Sequence, residues 1–463
     1  MANNEDLNKL RSEILELTAR IMYQVHERMQ ISTQIGEIKK KLNMEVNDEK
    51  VEQDIRKSIL KISKEIGMDT RFCGRLLNIL LMESVRLQQN QQDGELPRQT
   101  HLGIFMKAKQ LEAVGKKIIH MEVGEPDYPP PRTVKTALAR AYDNRQYHYT
   151  ETKGIPRLRQ AIAVKVGNSI TEDQVMVTLG ARFAVFSAFT SLLKAGDEVI
   201  SIEPAWPAYK ECADFIGAKT NVLKTTLEDK WDPDIKNLAD MINSSTKMIA
   251  INYPNNPTGR ILEDKTVRQI VSLAQDNDLY ILSDEVYSDY AFNHFKSILG
   301  YNYDKSIMIS SFSKGHAMTG FRVGYGVANK ETIGKMAKVQ ATALTCVPEP
   351  MQYCALAALK VNNSSIQNKK RIKKRLDLVS NRLRNMSLPF VEPDGAMYVY
   401  PKLKKGVGND IAVVERLLDL GVALAPGSGF GESYREFIRI SACQPTYILE
   451  KGLDVLELAI SLG

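Results

Sequence analysis

The chain has 463 residues, 43% of them hydrophobic and 25% charged, with a formal net charge of +7. That length exceeds one ordinary hydrophobic core, so two or three domains are expected, and the composition is that of a soluble globular protein. No long apolar span occurs, the five cysteines (Cys73, Cys212, Cys346, Cys354 and Cys443) form no Cys-x-x-Cys pair, and the six histidines show no ligand spacing, which argues against a membrane anchor, a disulfide framework and a metal site. The polar, acidic start Met1 to Asp6 carries no targeting pattern, so a reducing, cytoplasmic location is expected. The densest basic run, Lys369 to Arg375, has no interleaved aromatics and reads as a solvated helix face, not a nucleic-acid site.

From Glu5 to Leu42 there is no proline and one glycine, Gly36, while Leu7, Leu10, Ile14, Leu17 and Ile21 recur at spacings of three and four, which predicts one long amphipathic helix. Steps of seven from Ile21 lead to Arg28, Ile35 and Leu42, and Lys39 lies one turn after Ile35. Two cations therefore fall on or beside the face that should be buried. Buried unpaired charge is costly, so these cations are expected to meet an anion inside the bundle. A second helix is predicted from a cap at Asn47 and Asp48, carrying Val51, Ile55, Ile59, Leu60 and Ile62. A third runs from about Thr70 to Gln89, where Leu77, Leu80 and Leu81 give way on the same face to Ser84 and Gln88.

Leu10-Arg11, Glu27-Arg28, Gly36-x-x-Lys39, Val46-x-Asp48, Glu52 and Glu83-Ser84-x-x-x-Gln88 together resemble the all-helical chorismate mutases, a three-helix all-α bundle, over residues 1–90. The resemblance implies an intertwined dimer that binds chorismate through Arg28, Lys39, Asp48, Glu52, Ser84 and Gln88 of one chain and Arg11 of the other. Arg28, Lys39, Glu52 and Gln88 would carry the catalysis. The Claisen rearrangement to prephenate needs no nucleophile or cofactor, only a substrate held as a compact chair and a cation where negative charge develops. One position departs from the pattern: Val51 stands where the family usually has arginine, so weaker substrate binding is expected.

Gln88 to Asp93, then Gly94 and Pro97, break the helical pattern and mark a linker over 91–100. Beyond it, short apolar runs such as Glu198 to Ile202, Met248 to Ile251, Leu279 to Leu282 and Ile307 to Ile309 alternate with helical patterns, which predicts an α/β domain with a mainly parallel sheet over 101–463. Ligands of such sheets gather beyond the carboxyl ends of the strands, and the polar signals follow those strands: Asn255 to Gly259, Ser283 to Tyr287, and Ser310 to Tyr325. In the last, a lysine, Lys314, stands among serines with Arg322 eight residues on, a setting for a nucleophilic lysine beside a phosphate and hence for pyridoxal phosphate held as a Schiff base.

This assembled set resembles the fold-type I, class I aminotransferases over essentially all of 101–463, with a large part at about 145–345 and a small α+β part from 101–144 and 346–463. The resemblance implies that Lys314 holds the cofactor and shuttles the proton, that Asp284 pairs with the pyridine nitrogen, and that Asn256 and Tyr287 bond its phenolic oxygen. Trp206 would stack on the ring; Gly180, Ala181, Arg182, Ser311, Ser313 and Arg322 would hold the phosphate; and Tyr149 would reach the phosphate of a neighbouring subunit in a homodimer. Arg439 and the backbone of Gly124 would grip the α-carboxylate. Arg182 stands where one branch of the family carries a lysine for a distal carboxylate, which points to dicarboxylic substrates. The expected protein makes prephenate from chorismate and then transaminates prephenate or an aromatic or dicarboxylic 2-oxo acid, with glutamate or aspartate as donor. Its rival is an aspartate or broad aromatic aminotransferase whose mutase-like domain only regulates or dimerises.

Overall fold

Asn4–Lys41 forms one uninterrupted 38-residue helix, α1, about 57 Å long at 1.5 Å per residue. The computed structural model describes residues 4–42, 44, 49–70, 72–74, 76, 77, 80, 81, 84, 87, 88, 101–167 and 169–461. The expected cap Asp48 and the linker 91–100 lie outside these residues, as does the side chain of Glu52. The chain divides into two units, Met1–Arg98 and Gln99–Gly463. In the first, α1 is followed by α2, Glu49–Glu65, and the described positions from 70 to 88 are helical. Ser32, Gly36, Ser63, Cys73, Leu77 and Ser84 are buried there, whereas Leu10, Ile14 and Ile21 of the apolar stripe stay more than half exposed. The stripe is longer than the part of it that this unit's own described residues cover.

The second unit contains strands β1 (Ile119–His120), β2 (Val175–Thr178), β3 (Glu198–Glu203), β4 (Lys219–Lys224), β5 (Thr246–Asn252), β6 (Tyr280–Asp284), β7 (Ser306–Ser311), β8 (Gly324–Val327), β9 (Tyr398–Val399), β10 (Val422–Ala423), β11 (Ala425–Pro426) and β12 (Ile438–Ser441). Seven of them form one sheet in the order β2-β8-β7-β6-β5-β3-β4, parallel except for β8. Strands of such a sheet are buried on both faces, which is why β2 and β5 read as nearly continuous apolar runs. Alternate residues feed different cores: Ile249, Ile251 and Ile281 pack on one side, Met248, Ala250 and Leu282 on the other. Each fully buried aliphatic side chain contributes roughly 1.5–3 kcal/mol. A smaller antiparallel sheet, β11-β12-β9, packs with helices Asp410–Asp419 and Thr446–Ser461 around Val413, Leu417, Ile440 and Leu453. The mainly parallel α/β architecture is the one expected from the sequence.

Candidate active sites

Strands β5, β6 and β7 end side by side. In register, Asn252 lies beside Asp284 and Asp284 beside Ile309, so the loops that follow converge on one point. A cavity of about 300 Å³ opens there, lined among others by Gly124, Ala181, Arg182, Trp206, Asn256, Asp284, Tyr287, Ser311, Ser313, Lys314, Arg322 and Arg439. Gly180 opens the helix Gly180–Leu192, whose next two residues reach this lining. Tyr149 does not line it and is 87% exposed.

One end of the cavity is built for an anion. The first amides of Gly180–Leu192 have no partner within their own helix, and the helix dipole adds partial positive charge. Gly180 sits at φ +77, and a Cβ there would lie 2.7 Å from Arg322 Nη2; a Cβ on Gly324 would lie 2.5 Å from the Ala181 nitrogen. Both glycines are thus required for the guanidinium and the helix start to approach. Ser311 and Ser313 are buried beside them.

At the other side, Asp284 is 4% exposed, and burial pushes its carboxyl up to about 6 even though Tyr209 donates to Oδ2 at 2.9 Å and the Val286 amide to Oδ1 at 3.2 Å. Lys314 is half-buried, donates from Nζ to the carbonyl of Gly124, and has its ammonium pKa lowered chiefly by burial, with Arg439 and Arg322 adding to the effect. The Tyr290 hydroxyl holds the Lys314 carbonyl at 2.8 Å. Arg439 is buried; Nη1 donates to Asn256 Oδ1 at 2.8 Å, Nη2 donates to the Glu122 carbonyl, and Nε has no hydrogen-bond partner among the described residues. Its guanidinium lies 4.3 Å from the Tyr398 ring centre and 4.7 Å from that of Phe430. The Tyr287 and Tyr398 hydroxyls are 2.9 Å apart. Arg182, at the rim, pairs with Glu211 at 2.9 Å and stacks 4.7 Å from the indole of Trp206. Both members of that pair are about half exposed, so it is worth no more than about 1 kcal/mol and is easily exchanged for another anion.

The helical unit holds a second polar cluster. Arg28 Nη1 donates to the Leu80 carbonyl at 2.9 Å and to Ser84 Oγ at 2.5 Å, and Ser32 Oγ donates to Ser84 Oγ at 3.0 Å. Gln88 Oε1 is buried with no hydrogen-bond partner among the described residues. Lys39 is half-buried, while Arg11 and Val51 are exposed. The anion expected beside Arg28 is not found among the described residues; neutral oxygens hold it instead, and partial burial lowers its pKa.

Sequence reasoning missed Tyr209, Asn252, Tyr398, Tyr290 and Ser32. Tyr209 had a signal, since it stands three residues after Trp206, and Asn252 ends the strand whose loop carries Asn256; its Oδ1 accepts from the Asn256 amide at 3.0 Å. Tyr398 had none, because only the pairing of Tyr398 with Ser441 brings it to Arg439.

Residues 116–455 match the model of aminotransferase class I and II. The chain belongs to this family. Residues 10–89 match chorismate mutase type II, so this aminotransferase carries a mutase domain ahead of its catalytic α/β domain. It is 36% identical to an aspartate aminotransferase of Thermotoga maritima over 78% of this chain and 97% of the relative. It is 33% identical to an aspartate/prephenate aminotransferase of Thermus thermophilus over 76% of this chain and 94% of the relative. Among solved structures, the aspartate aminotransferase of Thermus thermophilus with maleate superposes with a TM-score of 0.75 at 30% identity, covering 78% of this chain and 96% of that one. Enzymes of this family depend on pyridoxal phosphate, and the cavity fits it: an anion cradle that added Cβ atoms would fill lies at one end, a buried carboxylate at another side, and a lysine with lowered pKa between them.

Proposed function

We propose that this aminotransferase performs two consecutive reactions of aromatic amino acid synthesis: rearrangement of chorismate to prephenate by the helical domain, and transfer of an amino group from glutamate or aspartate to prephenate or a downstream aromatic 2-oxo acid. The observation that carries this reading is the presence in one chain of two anion-ready constellations, Arg28 with Ser84 and Gln88 in one unit and Lys314, Asp284 and Arg439 around one cavity in the other. The likeness to an aspartate/prephenate aminotransferase supports the link between them.

In the helical domain, Arg28, oriented by Leu80 and Ser84, and Arg11 of a second copy clamp the two carboxylates of chorismate. The substrate supplies the anion that the bundle does not place beside Arg28. One C–O bond breaks and one C–C bond forms within the same molecule, so no proton or cofactor is needed; Lys39 and the Gln88 amide face the ether oxygen as it gains charge. Asp48 and Glu52 orient the ring and its hydroxyl. The uncovered stripe on α1 is where the second copy packs.

In the larger domain, bound pyridoxal phosphate supplies an electron sink for the carbanion formed at the amino acid's Cα. Gly180, Ala181, Arg182, Ser311, Ser313 and Arg322 would hold its phosphate, Trp206 would cover its ring, and Asn256 and Tyr287 would bond its phenolic oxygen. Asp284 would pair with the pyridine nitrogen and keep it protonated. Arg439 would take the substrate's α-carboxylate through Nε and its fork, with Gly124 alongside; Lys314 Nζ, whose pKa burial lowers, would remove the Cα proton and return it on the other side of the transfer. Tyr149, exposed in one chain, reaches the phosphate held by its partner in a homodimer. Arg182 exchanges Glu211 for a distal carboxylate, which selects dicarboxylic donors and prephenate.

Two assays on the purified full chain test the reading separately: chorismate loss, with Arg28→Ala as control, and amino transfer from glutamate or aspartate to supplied prephenate. Chorismate consumption no faster than in buffer contradicts the first half, and transfer to other 2-oxo acids but not prephenate contradicts the second.

A further inference from the structure

Tyr287 and Tyr398 both line the cofactor cavity, and their hydroxyl oxygens lie 2.9 Å apart. Tyr287 is 6% exposed and Tyr398 2%. Burial pushes both phenols up, so both hydroxyls keep their protons. Two protons are therefore shared between two oxygens, and only one of them can lie in the gap. The position of Tyr398 is fixed. Its pairing with Ser441 across β9 and β12 places the ring against the Arg439 guanidinium, 4.3 Å from the ring centre. The Tyr287 ring stands 5.5 Å away at 78° to it, and Gly124 passes so close to the Tyr398 hydroxyl that a Cβ there would collide with it.

Two arrangements of the protons are open. If Tyr287 donates to Tyr398, its only proton is spent there and Tyr287 can only accept from the cavity. If Tyr398 donates to Tyr287, the Tyr287 proton is free to point into the cavity. The phenolic oxygen of pyridoxal phosphate carries negative charge and is an acceptor, so only the second arrangement lets Tyr287 bond it. A hydroxyl that accepts one hydrogen bond also donates a stronger one.

We propose that Tyr398 is a positioning residue for the cofactor's phenolic oxygen: its hydroxyl donates to Tyr287, and so directs and strengthens the hydrogen bond that Tyr287 gives to that oxygen. The inference rests on the reading that Tyr287 bonds this oxygen. A donor there draws charge away from the Lys314 nitrogen joined to the cofactor, which then loses its proton at lower pH. The test is the pH midpoint of the holoenzyme's visible absorbance, followed through a double-variant cycle. Tyr287→Phe should raise the midpoint by about one to two units. Tyr398→Phe should raise it by about half a unit, and in the Tyr287→Phe background it should add nothing. Tyr398→Phe keeps the ring on Arg439, so a role in packing alone would move the melting temperature and leave the midpoint in place. An unmoved or lowered midpoint in Tyr398→Phe, or the same rise in both backgrounds, overturns the proposal and leaves Tyr287 at the phenolic oxygen. No shift in Tyr287→Phe removes Tyr287 from that oxygen and the proposal with it.

Discussion

Replacing Tyr209 with phenylalanine removes one hydroxyl from a buried carboxylate and leaves the ring packing in place. The hydroxyl donates to Asp284 Oδ2 at 2.9 Å, and both residues are buried. A hydrogen bond to a charged group is worth about 1.5–3 kcal/mol, and one pKa unit corresponds to about 1.4 kcal/mol, so the Asp284 carboxyl should rise by roughly one to two units from its value of about 6. Its folded-state pKa is already raised above the ordinary 3.8 by burial. Ionisation therefore works against the fold as pH rises through that interval, and the ionised form, the one that pairs with a protonated pyridine nitrogen, is lost as pH falls through about 6. Titrating the cofactor-free protein with pyridoxal phosphate across pH should show affinity falling near pH 6 in the parent and roughly one to two units higher in Tyr209→Phe. Comparing the two proteins cancels the titration of the cofactor's own phosphate. Coincident pH midpoints would refute the assignment of Asp284 to the ring nitrogen or of Tyr209 to its support.

Arg439→Lys removes the planar fork while keeping the charge, and should raise KM for glutamate about a hundredfold with cofactor affinity unchanged; a loss confined to kcat contradicts it. Gly324→Ala drives a methyl to 2.5 Å from the Ala181 nitrogen and so displaces the helix start itself: spectroscopic titration should find cofactor binding weakened at least tenfold, and the apoprotein's melting temperature should fall as well. Arg182→Met should cost much more activity with glutamate than with phenylalanine, and equal losses remove the case for Arg182 as reader of a distal carboxylate. Arg28→Ala should abolish chorismate turnover, whereas Ser84→Ala should lower it about tenfold by loosening the Arg28 guanidinium, both measured by chorismate absorbance.

The parts legible in the sequence were those that short-range chemistry fixes. Apolar runs ending in Asn, Asp or Ser announced strands whose carboxyl ends meet at a ligand, and β5, β6 and β7 do end together. Lys314, Asp284 and Arg439 line one cavity although 155 positions separate Asp284 from Arg439 in the chain. What escaped was set by tertiary pairing. Tyr398 reaches Arg439 through strand register, and the Tyr209 hydroxyl reaches Asp284 across the sheet edge; neither residue type is unusual where it stands. Beside Arg28 no carboxylate is found among the described residues. Carbonyl and hydroxyl oxygens hold its half-buried guanidinium there, and residue spacing alone does not announce such neutral partners.

The central claim is that the two domains act in sequence on one carbon skeleton. Full-length protein supplied with chorismate, pyridoxal phosphate and isotopically labelled glutamate or aspartate, with products identified by mass, tests it directly. The account predicts chorismate loss and labelled nitrogen in a product of the mass of arogenate. Intact chorismate, or unlabelled prephenate accumulating while the same enzyme transaminates other 2-oxo acids, would contradict it.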